Sequence, residues 1–424
     1  MSGLKQKSVR IVGGVVLMFL CVATLLAASP VTGKKIYRKL QLFAQVLSAV
    51  ERFYVEPVND EALLDGAIQG MMRTLDPHSA LLSPSDFALL EADTRGEFGG
   101  VGLEVGIKDD RITVISPMDD SPASRAKIAP GDRLVAVDGL DVATMSIEEA
   151  VRRMRGKVGT VVKATFFRPG EKSPFEVTLV REIIRVKSVV GEMLLPGFAW
   201  IRVRLFQDGT AAEVKATLRH FDRAAGPLKG IVLDLRRNPG GVLDEAVRLA
   251  DLFLDKGVIV STKRRGGEVM ETFNAHRLGT IRELPTAVLI DEASASAAEI
   301  VAGALQDRGR AMVVGRRSFG KGSVQSILGL EDGYGLKLTI ARYYTPSGRS
   351  IQSEGIVPDI LAESDVPAVG TENAFPSEAD LPGSLAAAGT PPDTPTAAAR
   401  IEDYPLRIAL ELVSGLSRER SANQ

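Results

Sequence analysis

The period of the apolar positions changes along this chain, and each change marks a different kind of element. Between residues 36 and 75, Leu40, Phe43, Val46, Leu47 and Val50 recur at helical spacing, and Leu63, Leu64, Ala67, Ile68 and Met71 repeat the pattern. This predicts amphipathic helices. Asp60-Glu61 offers a helix start, and Asp76-Pro77-His78-Ser79 breaks the periodicity. From Phe98 the pattern becomes short strands, at 133–137, 161–167 and 175–179. A short helix is predicted at 121–129, and a second one runs to Arg155 from the capping box Ser146-Ile147-Glu148-Glu149. Residues 183–360 switch again, to apolar strands at 198–203, 230–235, 258–262, 286–290, 311–314 and 335–343, interleaved with helices at 209–224, 242–254 and 296–307. That alternation predicts an α/β core. Ala, Pro, Thr, Glu and Gly dominate 361–400, the composition of a disordered linker, and 404–416 returns to a short amphipathic helix suited to docking or dimerisation.

Ahead of the first helix lies an uncharged run, residues 11–29, preceded by Lys5, Lys7 and Arg10 and followed by Lys34, Lys35, Arg38 and Lys39. It is long enough to span a bilayer, and Ala27, Ala28 and Ser29 also fit a signal-peptide cleavage point. Either reading of 1–30, signal peptide or transmembrane anchor, points to export. Composition narrows the chemistry. The 424 residues carry 52 basic and 53 acidic side chains, so no global field favours nucleic acid. Three histidines lie far apart, and the single cysteine, Cys21, sits in the uncharged run. No zinc spacing, intrachain disulfide or cysteine nucleophile follows from these residues, and no metal or cofactor is expected. His78 reads as a structural or surface residue.

What remains is a hydroxyl and an amine. Ser296, in Asp291-Glu292-Ala293-Ser294-Ala295-Ser296-Ala297-Ala298-Glu299, stands where strand 286–290 gives way to a helix. Lys321 follows twenty-five residues on, in Ser318-Phe319-Gly320-Lys321-Gly322-Ser323-Val324-Gln325. A lysine can act as general base for a serine only when its neutral form is populated, which requires partial desolvation. Glycines on both sides let a tight loop bury the amine stem. The helix start beside the serine offers free amides to a developing oxyanion, that of Ala297 first. The strand-end loop Asp234-Leu235-Arg236-Arg237-Asn238-Pro239-Gly240-Gly241 offers a second donor, from Gly240 or Gly241. Ser294 is a rival nucleophile by chemistry alone and reads as a packing or hydrogen-bonding residue; Glu299 reads as support for helix or loop geometry.

The ordered set of the Gly99-Gly100-Val101-Gly102-Leu103 loop, Ser121-Pro122-Ala123, Gly131-Asp132-Arg133-Leu134 and the helix from Ser146 resembles a PDZ domain over 97–182. The resemblance implies that a peptide adds as a strand beside the sheet edge, its terminal carboxylate held by amides of Gly100, Val101 and Gly102. With Arg-Arg-Asn-Pro-Gly-Gly, Ser-Ala-Ser-Ala-Ala-Glu, Phe-Gly-Lys-Gly-Ser-Val-Gln, the run from Tyr344 to Gln352 and Gly355-Ile356-Val357-Pro358-Asp359, the chain resembles the C-terminal processing peptidases, or tail-specific proteases. By position that resemblance implies Ser296 as nucleophile, Lys321 as general base and Gln325 as the group orienting the lysine. It also implies Ala297 with Gly240 or Gly241 as oxyanion donors, and a crotonase-like α/β serine protease core carrying an inserted PDZ domain. One departure is the extra Ala before Glu299.

The layout that follows is 1–30 signal or anchor, 31–96 N-terminal helical region, 97–182 PDZ domain, 183–360 protease core, 361–400 disordered linker and 401–424 C-terminal helix. The implied activity is that of an exported serine endopeptidase. It would capture apolar C-terminal tails, cleave through an acyl-enzyme, and process or degrade envelope proteins. An adaptor protein and a homodimer or higher oligomer complete the implied partners. The alternative is a PDZ-bearing binding scaffold whose core has lost activity.

Overall fold

The computed structural model describes residues 31–277, 281, 284–363, 378 and 403–422. The chain divides into two compact units, residues 1–71 and 72–424. The run 11–29 lies outside the described residues, as does nearly all of 361–400. Among the described residues no helix is long and apolar enough to cross a membrane, so the transmembrane reading finds no helix there to support it. The long first helix, Val31–Phe53, carries Lys34, Lys35, Arg38, Lys39, Glu51 and Arg52 and is too charged to span.

In the first unit that helix is followed by Asp60–Arg73, which continues beyond the unit's end. Asn59 caps the second helix, its Oδ1 accepting from Ala62 N at 3.0 Å, and Asp60 and Glu61 sit at the positive end of its dipole.

The second unit holds four sheets among its described residues, and two of them carry its core. One has the order Val189–Leu195, Phe198–Val203, Gly230–Asp234, Thr286–Ile290, Met312–Gly315, Ile360–Leu361, with the first pair antiparallel and the rest parallel. Gly230–Asp234 and Thr286–Ile290 are buried at every position, as central parallel strands must be when both faces are covered. Helices Thr210–Ala225, Leu243–Asp251 and Ala297–Asp307 share one core with the sheet, and Tyr404–Ala422 packs on it through Ala409 and Val413. The C-terminal helix is thus docked on its own chain.

The second sheet is antiparallel: Ala80–Leu82, Gly335–Tyr344, Val258–Lys263 and Val269–Asn274, with Ser323–Gly329 also paired to Gly335–Tyr344. The pairing of Ala80 with Lys337 draws residues that precede the PDZ unit into this sheet.

The core is therefore not the crotonase fold read from the sequence. Its strands divide between a mixed sheet and a separate antiparallel sheet that is completed from the other side of an inserted domain. The insertion is visible in the backbone. Glu97–Gly100 pairs with Glu182–Arg185, and Val186 N donates to Gly96 O at 3.1 Å, so the chain leaves and returns at one point. Between them, strands Leu103–Lys108, Arg111–Pro117, Arg133–Val137, Leu140–Asp141, Val161–Phe167 and Phe175–Val180 form one sheet. Helices Pro122–Arg125 and Ile147–Met154 pack on it around Val137, Ala150, Val162 and Phe166.

Candidate active site

Three strand ends meet at the C-terminal edge of the parallel strands, the edge where open α/β sheets take their ligands. Phe198–Val203 leads to Arg204 and Phe206, Gly230–Asp234 to the Gly240-Gly241 loop, and Thr286–Ile290 to Ser296. The loops are tied together: Phe206 N donates to Gly240 O, Val242 N to Phe206 O, and Ala295 N to Asn238 O. Ser294 belongs to this scaffold. It is fully buried, accepts from Asp291 N at 2.9 Å and donates to Leu235 O at 2.8 Å, so its hydroxyl is committed to joining two strand ends.

Ser296 stands at φ 55°, ψ −113°, a conformation rarely adopted by a residue with a side chain. Such a backbone costs of order 1–3 kcal/mol and persists where its surroundings over-determine it. The surroundings here are mainly Glu299, one turn into helix Ala297–Asp307 and fully buried. Its Oε2 accepts from Ser296 N at 2.7 Å and from Lys321 N at 2.9 Å; its Oε1 accepts from Ser318 Oγ at 2.5 Å and Gly320 N at 2.7 Å. Burial pushes this carboxyl up to about 7, against four donors that pull it down. One carboxylate thus fixes the serine's turn and the lysine's loop to each other. The sequence reading gave Glu299 a geometric role but not this one.

Lys321 is half-buried, and burial is the first cause holding its amine below the ordinary lysine value. The positive charge of Lys337 acts in the same direction, while Glu378, Glu299 and Asp76 oppose it. Gly322 allows the close packing behind it, since a Cβ there would lie 2.2 Å from Gln352 N. Ser296 and Lys321 meet here through backbone amides on a shared oxygen, not through a side-chain hydrogen bond. Gln325 donates from Nε2 to Ser323 Oγ at 2.8 Å and to Thr339 Oγ1 at 3.4 Å.

Of the two candidate glycine amides, that of Gly240 donates to Asn238 Oδ1 at 2.8 Å. Gly240, at φ 100°, lies so close to the serine that a Cβ would come within 2.7 Å of Ser296 Cβ and 3.0 Å of Ala297 N. In the PDZ unit the carbonyl of Val101 accepts from Ala123 N, and that of Gly102 from Met118 N and Ser121 Oγ. A trans peptide sets N–H and C=O on opposite sides, so the Gly102 amide points away from helix Pro122–Arg125.

Several residues near the lysine were not found from sequence. Asp76 is buried and accepts from His78 N, Ser79 N, Ser79 Oγ and Thr339 Oγ1; these bonds lower its carboxyl despite burial. Lys337 sits opposite Ala80 on the neighbouring strand. Glu378, inside the stretch read as a linker, is buried and bonded to His78 Nε2 and Gln352 Nε2. Only the Asp-Pro break at 76–77 signalled any of these, and it reads equally as a turn.

A model of peptidase family S41 matches residues 197–362, a PDZ-domain model matches 89–163, and a model described as the activating protease CtpB N-terminal domain matches 24–83. The core matches this peptidase family in place of the crotonase fold. The chain is 41% identical over 369 residues to a carboxy-terminal-processing protease of Bartonella bacilliformis, covering 85% of this chain and 84% of that protein. It is 34% identical over 336 residues to the carboxy-terminal processing protease CtpA of Bacillus subtilis, covering 78% and 70%. A solved photosystem II D1 C-terminal processing protease aligns at 30% identity over 76% of this chain and 92% of that one, with a TM-score of 0.48.

Proposed function

The chain belongs to the C-terminal processing peptidases of family S41, and from that premise we propose that Ser296 is its nucleophile, Lys321 its general base and Gln325 the group that orients the lysine. The protein is an exported serine endopeptidase that recognises C-terminal tails through its PDZ domain and works by Ser/Lys chemistry. The observation that carries the residue assignment is the Glu299 carboxylate, which holds the backbone nitrogens of serine and lysine on one oxygen.

In the reaction, the neutral Lys321 amine takes the Ser296 proton as Oγ attacks the scissile carbonyl. The oxyanion is met by the amides of Ala297 and Gly241, since the Gly240 amide is already bound to Asn238. Each such donor is worth about 10²–10³ in rate. The Lys321 ammonium then returns its proton to the leaving amine, an acyl-enzyme remains, and water deprotonated by the same amine releases it. With Gln325 Nε2 anchored on Ser323 and Thr339, its Oε1 is the acceptor that steers the ammonium.

Apolar C-terminal tails enter as a strand beside Leu103–Lys108, with the carboxylate at the amides of Gly100, Val101 and Gly102. The working compartment is the cell envelope, and we place the protein in the periplasm. The apolar positions Ile36, Leu40, Phe43 and Val46 are exposed on helix Val31–Phe53; a second copy of the chain covers them, which a sedimentation measurement would report as a dimer. A serine-reactive phosphonate probe tests the dyad. It labels Ser296 in the native chain and fails in Lys321→Ala. Equal labelling of both would refute lysine as the base.

A further inference from the structure

Between the PDZ strand Leu103–Lys108 and the catalytic edge of the core lies a cavity of about 300 Å³ lined by Glu104, Arg202, Arg204 and Arg237. Arg202 and Arg204 come from the end of Phe198–Val203, and Arg237 from the end of the neighbouring strand, where Arg202 is the register partner of Asp234. All three stand on the edge that carries Ser296. Arg237 is one residue from Asn238, whose carbonyl binds Ala295 N, and three from Gly240.

The arginines are not structural in the way their neighbour is. Arg236 is paired with Asp234 and Asp403. Among the described residues, Arg202, Arg204 and Arg237 have no ion-pair partner, and the Nε of Arg202 is buried with no hydrogen bond. Arg237 is also held at φ 56°; its backbone is pinned by Asp291 Oδ1, which accepts from its N–H at 2.8 Å. Three guanidiniums without ion-pair partners and one carboxylate, Glu104, line the cavity, so it keeps an excess of positive charge, and guanidinium is the side chain whose geometry matches a carboxylate.

We propose that this pocket is a substrate subsite for a carboxylate side chain, an Asp or Glu lying between the PDZ-held tail and the scissile bond. The pocket's position fits: the PDZ side supplies Glu104, two residues past the carboxylate loop, and the core side supplies the residues next to the oxyanion loop. The inference rests on the proposed cleavage chemistry and adds the specificity to it.

The test uses the full chain and peptide pairs that share an apolar C-terminus and differ by Glu or Gln at each position of the intervening segment. At low salt the native enzyme should show kcat/KM about tenfold higher for the Glu member at one position, the value of a single 1.4 kcal/mol interaction. The preference should shrink with added salt. It should collapse towards one in Arg237→Asn, where Asn tolerates the positive φ, and in Arg204→Ala. The ratio is internal to each variant, so an overall loss of rate does not move it. Equal kcat/KM for every pair in the native enzyme overturns the inference, as does a preference that survives both substitutions. A preference that follows amidation of the C-terminus instead of Glu against Gln also overturns it. Cleavage of the Gln peptides by the native chain and not by Ser296→Ala speaks only to the dyad, so the two readings fail separately.

Discussion

Replacing Glu299 by Gln would turn an –NH₂ group towards N–H and O–H donors that now find carboxylate oxygens. With a buried donor facing donors, the substitution should cost about 2–4 kcal/mol. It should also lower kcat by at least about tenfold, because the serine turn and lysine loop lose their common tether. A thermal melt and a steady-state assay on the same preparation check both. The carboxyl also makes a pH prediction. Its folded value of about 7 lies above the ordinary 4.5, so the folded chain holds the proton more tightly. Its contribution to stability is full below 4.5 and is lost as pH rises through 7. Native protein should therefore lose stability relative to Glu299→Gln across that window. For Lys321 the direction is opposite in kind. Burial depresses the amine, the base is the neutral form, and kcat/KM should rise with pH along a limb whose midpoint lies below 10.5. A midpoint at the ordinary lysine value would mean that the amine is not desolvated.

The elements that could be read from the sequence are those whose surroundings are uniform along their length. Gly230–Asp234 and Thr286–Ile290 lie where apolar runs assign them, because strands covered on both faces show near-continuous hydrophobicity, and Phe198–Val203 was legible from its alternation of buried and half-buried positions. Val269–Asn274 was missed because it is almost wholly exposed and has no buried face to alternate with. Ser323–Gly329 was hidden inside a motif read as a loop. The stretches that hold Ser296 and Lys321 were conspicuous because glycines and small residues flank them. Asp76, Lys337 and Glu378 were not, since only the pairing of Ala80 with Lys337 and the return of Glu378 to His78 bring them near the lysine. Arg236 offers a test at this scale. It ties fully buried Asp234 to Asp403 at the start of the C-terminal helix. Arg236→Ala should cost about 3–5 kcal/mol by leaving Asp234 as an unpaired buried charge. Limited proteolysis should then release the helix Tyr404–Ala422; a helix that stays protected would show that apolar packing alone holds it.

At the scale of the whole molecule, a PDZ domain is spliced into a peptidase at a point where the backbone crosses itself, Val186 N on Gly96 O. The two ends are close enough for a short glycine linker to replace residues 97–185 and leave a folded core. That core should keep the Ser/Lys chemistry on short peptides and lose its preference for apolar C-termini. Unchanged substrate choice would remove the PDZ unit from recognition. Capture falls to the PDZ domain and cutting to the core. The most direct measurement is of binding and cleavage together, on one fluorescent apolar-tailed protein, by native chain and Ser296→Ala. The prediction is that both bind the tail with similar affinity and only the native chain shortens the substrate, as read by intact mass. Truncation of the substrate by purified Ser296→Ala would contradict the account.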